Sequence, residues 1–425
     1  MGDAGTDRRT VARSVAVAAS VLLFGGTARA RAAAEAGSAA AAGRGLVLRL
    51  PAPTGPYPVG VTTLYLVDRA RRDPWDAALP VRELMVTVLY PARTVRGRPR
   101  APQMTASAAE SFAGLVPLRV HPELPDAGVD WAATLTHARV GAPALPGRRP
   151  VVLYSPGGGN ARTLGTVVAE ELASRGRVVV TVDHPGDASE VEFPGTTAYR
   201  RDPLRTTVLR GDPRRTDPAL FRTMIGTRVA DLRFVLDRLA VLAAGGNPDA
   251  AGRALPEHLG RALDLRRVGV YGHSAGGTAA AQTLYEDGRV AAAVDLEGHL
   301  DHPPEAPGRP GEPFPVARCG VDRPVLLVNT DGFPDRRGLE ASWSAVFARP
   351  GGRVVRRRLD DAAHGVFTDY AAMAPRLQAA GLMTRAERIR LVGAVDPARS
   401  VPAVRGLVCG FLDRHLTTAG RDARD

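Results

Sequence analysis

Six short runs along the chain are almost continuously apolar and rich in valine: "LMVTVLY" at 84–90, "PVVLYS" at 150–155, "RVVVTVD" at 177–183, "RVGVYG" at 267–272, "VAAAVDL" at 290–296 and "PVLLVN" at 324–329. Runs of this length, with no regular polar alternation, predict strands buried on both faces. They lie too far apart for tight hairpins, and apolar residues at helical spacing fill several of the gaps. "ARTLGTVVAEELASRG" follows the second run, and Ile225, Val229, Leu232, Leu236 and Leu239 share one face of a longer helix. Strand, helix, strand alternation predicts an α/β fold, a mostly parallel sheet with helices on both faces. Around 186–218 the pattern lapses into Asp, Arg, Thr and Pro, which predicts an irregular insertion overhanging the carboxyl ends of the strands.

The ends of the chain carry a different pattern. Arg8, Arg9 and Arg13 precede an apolar run from Val15 to Phe24 and then Ala28-Arg29-Ala30, the layout of a secretory signal peptide over 1–30. The apolar run is too short to span a bilayer. Export by the Sec route, or by the twin-arginine route that Arg8-Arg9 suggests, follows as the expected localisation, secreted. The Ala- and Gly-rich stretch 31–45 reads as a flexible linker, 46–418 as the folded domain and 419–425 as a disordered tail. Cys319 and Cys409 suit either one disulfide or a buried thiol at Cys409, which sits on the apolar helical stretch "AVRGLVCGFLDRHL".

Composition removes several chemistries. All 56 basic Lys-plus-Arg positions are arginine, and the formal net charge is +12. Without lysine there is no Walker phosphate loop and no Schiff base. The arginines are scattered among acidic residues, and aromatic residues make up only 5% of the chain, so no nucleic-acid surface is expected.

The chemistry that remains centres on a serine. Gly272-His273-Ser274-Ala275-Gly276 fits G-x-S-x-G after a buried-type strand and before a helix-forming run, the setting of a nucleophile elbow. A serine hydroxyl needs a base. His364, in "LDDAAHGVFTDY" beyond the strand-like "GRVVRRRL", stands where the order serine, acid, histidine requires it, with His415 on the C-terminal helix as the alternative. Three carboxylates follow strands: Asp295, Glu297 and Asp331. The general topology of such hydrolases favours Asp331. Oxyanion donors are expected at the N–H of Ala275 and within "SPGGGN" at 155–160. "EGHLDHPPE" holds Glu297, His299, His302 and Glu305, but on a Pro-rich loop these read as solvated polar groups, and no metal is expected.

From Pro51 onward the chain resembles the platelet-activating factor acetylhydrolase family, the secreted type II kind and its bacterial relatives. The stretches that carry the resemblance include "PVVLYSPGGGNARTL", "VVVTVDHPGDAS", "YGHSAGGTAAAQTLYEDGRV", "VDLEGHL", "RPVLLVNTDG" and "AAHGVFTDY". The resemblance implies an α/β-hydrolase fold, Ser274 as nucleophile, His364 as base, and Gly158 and Ala275 as oxyanion donors. It moves the acid to Glu297, with Asp295 and Asp331 behind it. Glu stands where the family pattern has Asp, so the backbone must sit slightly further from His364, while Asp295 should share a face with Glu297 in an extended strand.

The expected function is a secreted serine ester hydrolase, lipase-like and acetylhydrolase-type, working through an acyl-enzyme without a cofactor. The expected partners are a small-molecule or lipid ester and, through the basic surface, transient contact with lipid interfaces. An acyltransferase using the same residues, or a non-catalytic binding protein on the same fold, is the alternative.

Overall fold

The valine-rich runs become the centre of one large sheet. In the computed structural model, which describes residues 45–209, 217–306, 309–348 and 353–417, the strands are β1 (Val59–Asp68), β2 (Arg82–Pro91), β3 (Arg100–Pro102), β4 (Leu135–Val140), β5 (Arg149–Ser155), β6 (Val178–Val182), β7 (Glu190–Glu192), β8 (Leu204–Thr206), β9 (Leu263–His273), β10 (Val290–Leu296), β11 (Val325–Thr330) and β12 (Val354–Leu359). Ten of them form a sheet in the order β12-β11-β10-β9-β5-β6-β2-β1-β4-β3. From β12 to β6 every neighbouring pair is parallel. β2 then runs antiparallel beside β6, and β1 antiparallel beside β2. The α/β-hydrolase expectation therefore holds, with an antiparallel flank that the widely spaced runs did not announce.

Helices close both faces. They are α1 (Ala106–Arg119), α2 (Thr166–Ser174), α3 (Pro218–Ala243), α4 (Ala275–Glu286), α5 (Pro315–Cys319), α6 (Arg336–Phe347), α7 (Tyr370–Ala379), α8 (Arg385–Val392) and α9 (Pro397–Leu416). Strand alternation decides which face each residue serves. On β5, Val152 and Tyr154 pack with α2, α7 and α9, whereas Val151 and Leu153 pack with α3, α4 and α6. The predicted stripe of α3 is buried throughout, from Ile225 to Leu239. Asp217 caps that helix by accepting from the N–H groups of Ala219 and Leu220, with Pro218 at its first turn.

The 186–218 insertion is less irregular than its composition suggests. β7 and β8 pair antiparallel within it, and Val191 and Phe193 pack against Tyr65. Strands three residues long are too short to show a period in sequence. The expected signal peptide 1–30, all of the linker but Gly45, and the tail 419–425 lie outside the described residues. Cys409 is a buried thiol inside α9, and the structure forms no bridge from it to the exposed Cys319.

Candidate active site

Ser274 sits between β9 and α4 with φ 55° and ψ −125°, a conformation that costs a non-glycine residue of order 1–3 kcal/mol. Its neighbours explain how the chain sustains it. A Cβ on Gly272 would collide with the carbonyl of Gly276, and one on Gly276 with the carbonyl of Ser155. Only glycine fits either place, so the spacing of the motif follows from how closely the backbone folds on itself and on β5. The Ser274 N–H donates to Leu296 O at 2.8 Å, which ties the turn to the end of β10. Ala275 opens α4, so its N–H has no carbonyl one helical turn back and remains available to a ligand.

His364 and Glu297 meet beside this turn. His364 Nδ1 lies 2.7 Å from Glu297 Oε2. An ionised carboxylate only accepts, so Nδ1 carries the proton and Nε2 keeps its lone pair for base catalysis. The other Glu297 oxygen accepts from the Thr330 N–H at 2.5 Å and the Thr330 hydroxyl at 2.6 Å. The imidazole of His364 is held over the elbow: its ring lies 4.3 Å from that of His273 and 4.9 Å from Phe333, and His273 Nε2 donates to its carbonyl at 3.0 Å.

The three competing carboxylates separate cleanly. Glu297 has φ 66°, a left-handed residue directly after β10, and this breaks the strand alternation. Asp295 therefore does not share the face of Glu297 as an extended chain would require. Its Oδ1 accepts from the Gly298 N–H at 2.6 Å, beneath the start of α4. Burial, together with the neighbouring charge of Glu297, pushes the Asp295 carboxyl well above its ordinary range. Asp331 is exposed and accepts from the Ala362 N–H at 3.1 Å, bracing the loop before His364. His415 is remote from these groups, with its ring 4.6 Å from Phe411 on α9.

The loop "SPGGGN" follows β5 as expected. Asn160 N donates to Gly157 O at 3.1 Å, closing a turn in which Gly159 has φ 74°. A buried polar network that the sequence did not announce stands beneath it. Arg228, on α3 and fully buried, donates to the carbonyls of Pro156 and Gly157, to Ser155 Oγ at 3.2 Å and to Asp187 at 2.6 Å. Asp187 accepts from the Gly159 N–H at 2.9 Å. Ser155 Oγ lies 2.9 Å from His184 Nε2, His184 Nδ1 lies 3.0 Å from Asp231, and Asp231 accepts from Arg82. Burial opposes the charge of Asp231, but Arg82 and His184 outweigh it and hold its pKa below the usual value. Burial and the charge of Arg228 push His184 down to about 4. The one available signal was position: Arg228 and Asp231 fall among the apolar residues of α3.

Among the described residues no three His, Cys, Asp or Glu side chains gather as a metal site. A cleft of about 410 Å³ lies across β1, β2 and β6, lined in part by Thr87, Gln103, Arg162 and Glu190, and neither Ser274 nor His364 borders it.

Comparison with known proteins places the chain among esterases. Residues 132–419 match the family described as platelet-activating factor acetylhydrolase, isoform II. A probable 1-alkyl-2-acetylglycerophosphocholine esterase of Arthroderma benhamiae is 25% identical over 392 residues, covering 86% of this chain and 88% of that protein. The solved structure of a ferulic acid esterase from Streptomyces cinnamoneus is 34% identical, with a TM-score of 0.66 over 87% of this chain and 94% of that one.

Proposed function

The chain belongs to the platelet-activating factor acetylhydrolase, isoform II, family of esterases, and from that premise we propose that it hydrolyses carboxylic esters by a Ser274–His364–Glu297 triad. The observation that carries this reading is the 2.7 Å contact of His364 Nδ1 with Glu297, which leaves Nε2 free to act as the base, with the ring packed on His273, the residue before Ser274. Ser274 Oγ attacks the ester carbonyl while His364 Nε2 takes its proton, and Glu297 stabilises the imidazolium. The carbonyl oxygen, now an anion, takes hydrogen bonds from the N–H groups of Gly158 and Ala275. Collapse breaks the bond to the alcohol, which leaves with the proton from Nε2. Water then attacks the acyl-serine with His364 again as base, releasing the acid and restoring Ser274.

The substrate class we propose is an ester with a short acyl group, including glycerophospholipid esters, because the Arthroderma relative is named for an acetylglycerophosphocholine. We extend the proposal to export, on the pattern of residues 1–30. Purified protein should label with a fluorophosphonate and turn over p-nitrophenyl acetate faster than longer-chain esters. Ser274→Ala should do neither, and a Ser274→Ala protein as active as the parent overturns the mechanism. Protein recovered from the growth medium should begin near Arg31; retention in the cell with Met1 intact overturns export.

A further inference from the structure

The polar network under "SPGGGN" resembles a second serine, histidine, aspartate relay: Ser155, His184 and Asp231 are joined by contacts of 2.9 and 3.0 Å. It is not a second active site. All three residues are fully buried, and Asp231 is already engaged by Arg82. The direction of its hydrogen bonds shows what it does. Asp231 only accepts, so His184 Nδ1 is the donor and Nε2 the acceptor. Ser155 must then donate to Nε2, and its remaining lone pair accepts from Arg228. The chain of bonds runs one way and ends on the guanidinium.

Arg228 presents a planar fork of five N–H donors. Nε and Nη2 face Asp187, while Nη1 and Nη2 face the carbonyls of Pro156 and Gly157. The hold on Gly157 O, at 3.0 Å, matters most. In a trans peptide the C=O and the N–H of one unit point in opposite directions. Fixing Gly157 C=O toward Arg228 therefore fixes the Gly158 N–H away from it, on the outer side of the loop. Asp187 holds the next unit by accepting from Gly159 N–H. The Asn160 N–H also donates to Gly157 O, at 3.1 Å, so the turn and Arg228 together set that direction, and Gly158 has no side chain to oppose it.

We propose that Arg228 is the positioning residue of the oxyanion hole: from the far side of the loop, with Asp187, it aims the Gly158 N–H at the developing oxyanion. This rests on the serine esterase reading above. Arg228 touches no substrate and acts only through the peptide unit it grips.

The test compares the parent with Arg228→Lys, Arg228→Met and Asp187→Asn, all as the full chain, with rates expressed per fluorophosphonate-titratable serine so that partly folded protein does not count. Lysine keeps the charge but not the fork; Asp187→Asn keeps the shape and leaves Arg228 in place, so it serves where the Arg228 variants do not fold. With p-nitrophenyl acetate, kcat should fall about 10- to 100-fold while KM stays within about threefold, as for a misaimed oxyanion donor. Inhibition by a trifluoromethyl ketone, which forms a hemiketal oxyanion on the serine, should weaken by the same factor. Parental kcat and ketone affinity in a folded Arg228→Lys protein overturn the proposal. So does a loss of kcat that the ketone affinity does not follow. A parent that neither labels nor turns over esters defeats the serine esterase reading instead, which separates the two failures.

Discussion

At the scale of single residues, the acid shows how much a local pattern leaves undecided. Asp295, Glu297 and Asp331 all follow strands in the sequence, and composition gives no means of ranking them. What favours Glu297 in the proposed triad is a left-handed backbone and a partner 33 residues away, Thr330, which saturates one carboxylate oxygen and leaves the other for His364. Glu297→Gln cannot satisfy both sides. A carboxamide has one accepting and one donating end, so it faces either the Thr330 donors or His364 Nδ1–H with its NH2. If Thr330 keeps the oxygen, the imidazole must move its proton to Nε2 and ceases to be a base. The expected loss in kcat is about 10³- to 10⁴-fold, the scale of a wrong tautomer in a serine triad. Asp295→Asn keeps the shape and the acceptor for the Gly298 N–H of a side chain that does not reach His364, and kcat should remain within about threefold. Steady-state kinetics on both variants decide the assignment, and the reverse pattern moves the acid to Asp295.

At the scale of elements, the site is made by two neighbouring strand ends. β5 ends in the proposed oxyanion loop and β9 in the elbow, and the two strands pair in parallel with Ser155 opposite Gly272. Gly276 lies where they meet, with no room for a Cβ beneath the Ser155 and Pro156 carbonyls. Gly276→Ala must therefore displace the loop or the helix. We expect it to destabilise the protein by about 1–3 kcal/mol, as overpacking does, and to lower kcat more than it raises KM. Thermal melts and kinetics on one preparation check both effects; unchanged kcat would show that the loop yields without consequence.

This junction also marks where sequence reading ended. The strand runs, the stripe of α3 and the elbow were legible because burial on two faces, helical period and glycine spacing are local signals. β7 and β8 were not, being only three residues each. Nor was the role of Arg228 and Asp231, since a charged residue inside an apolar stripe looks like a lapse in the pattern until its partners on β2, β5 and the 184–187 loop are brought beneath it.

At the scale of the whole molecule, buried ionisable groups set how stability responds to pH. Burial pushes Glu170 and Asp369 up to about 7 and Glu190 up to about 8, and pushes Asp295 well above its ordinary value. Burial also pushes His121 and His184 down to about 4, and His273 well below its ordinary value. From about pH 4.5 to 6.5 the unfolded chain has released carboxyl protons that the folded protein keeps, which costs stability as pH rises. Over the same range unfolded histidines, with an ordinary value near 6.5, hold protons that the folded ones reject, which adds stability as pH rises. His415 is also pushed down and Asp183 also pushed up by burial, so four histidines stand against five carboxyls and leave only a shallow slope there. Above pH 6.5 the histidine contribution fades, because the unfolded imidazoles are already half deprotonated there, while Glu170, Asp369 and Glu190 continue to lose theirs up to pH 7–8. Tm should therefore vary little from pH 5 to 6.5 and fall from 6.5 to 8, by about 1–2 °C for each kcal/mol lost. Glu190→Gln should remove part of that fall, raising Tm at pH 8 while leaving it nearly unchanged at pH 5. Calorimetry of the two proteins across this range is the check: a parental Tm that rises from pH 6.5 to 8, or a Glu190→Gln gain that is the same at both ends, would show that these carboxyls do not keep their protons in the folded state.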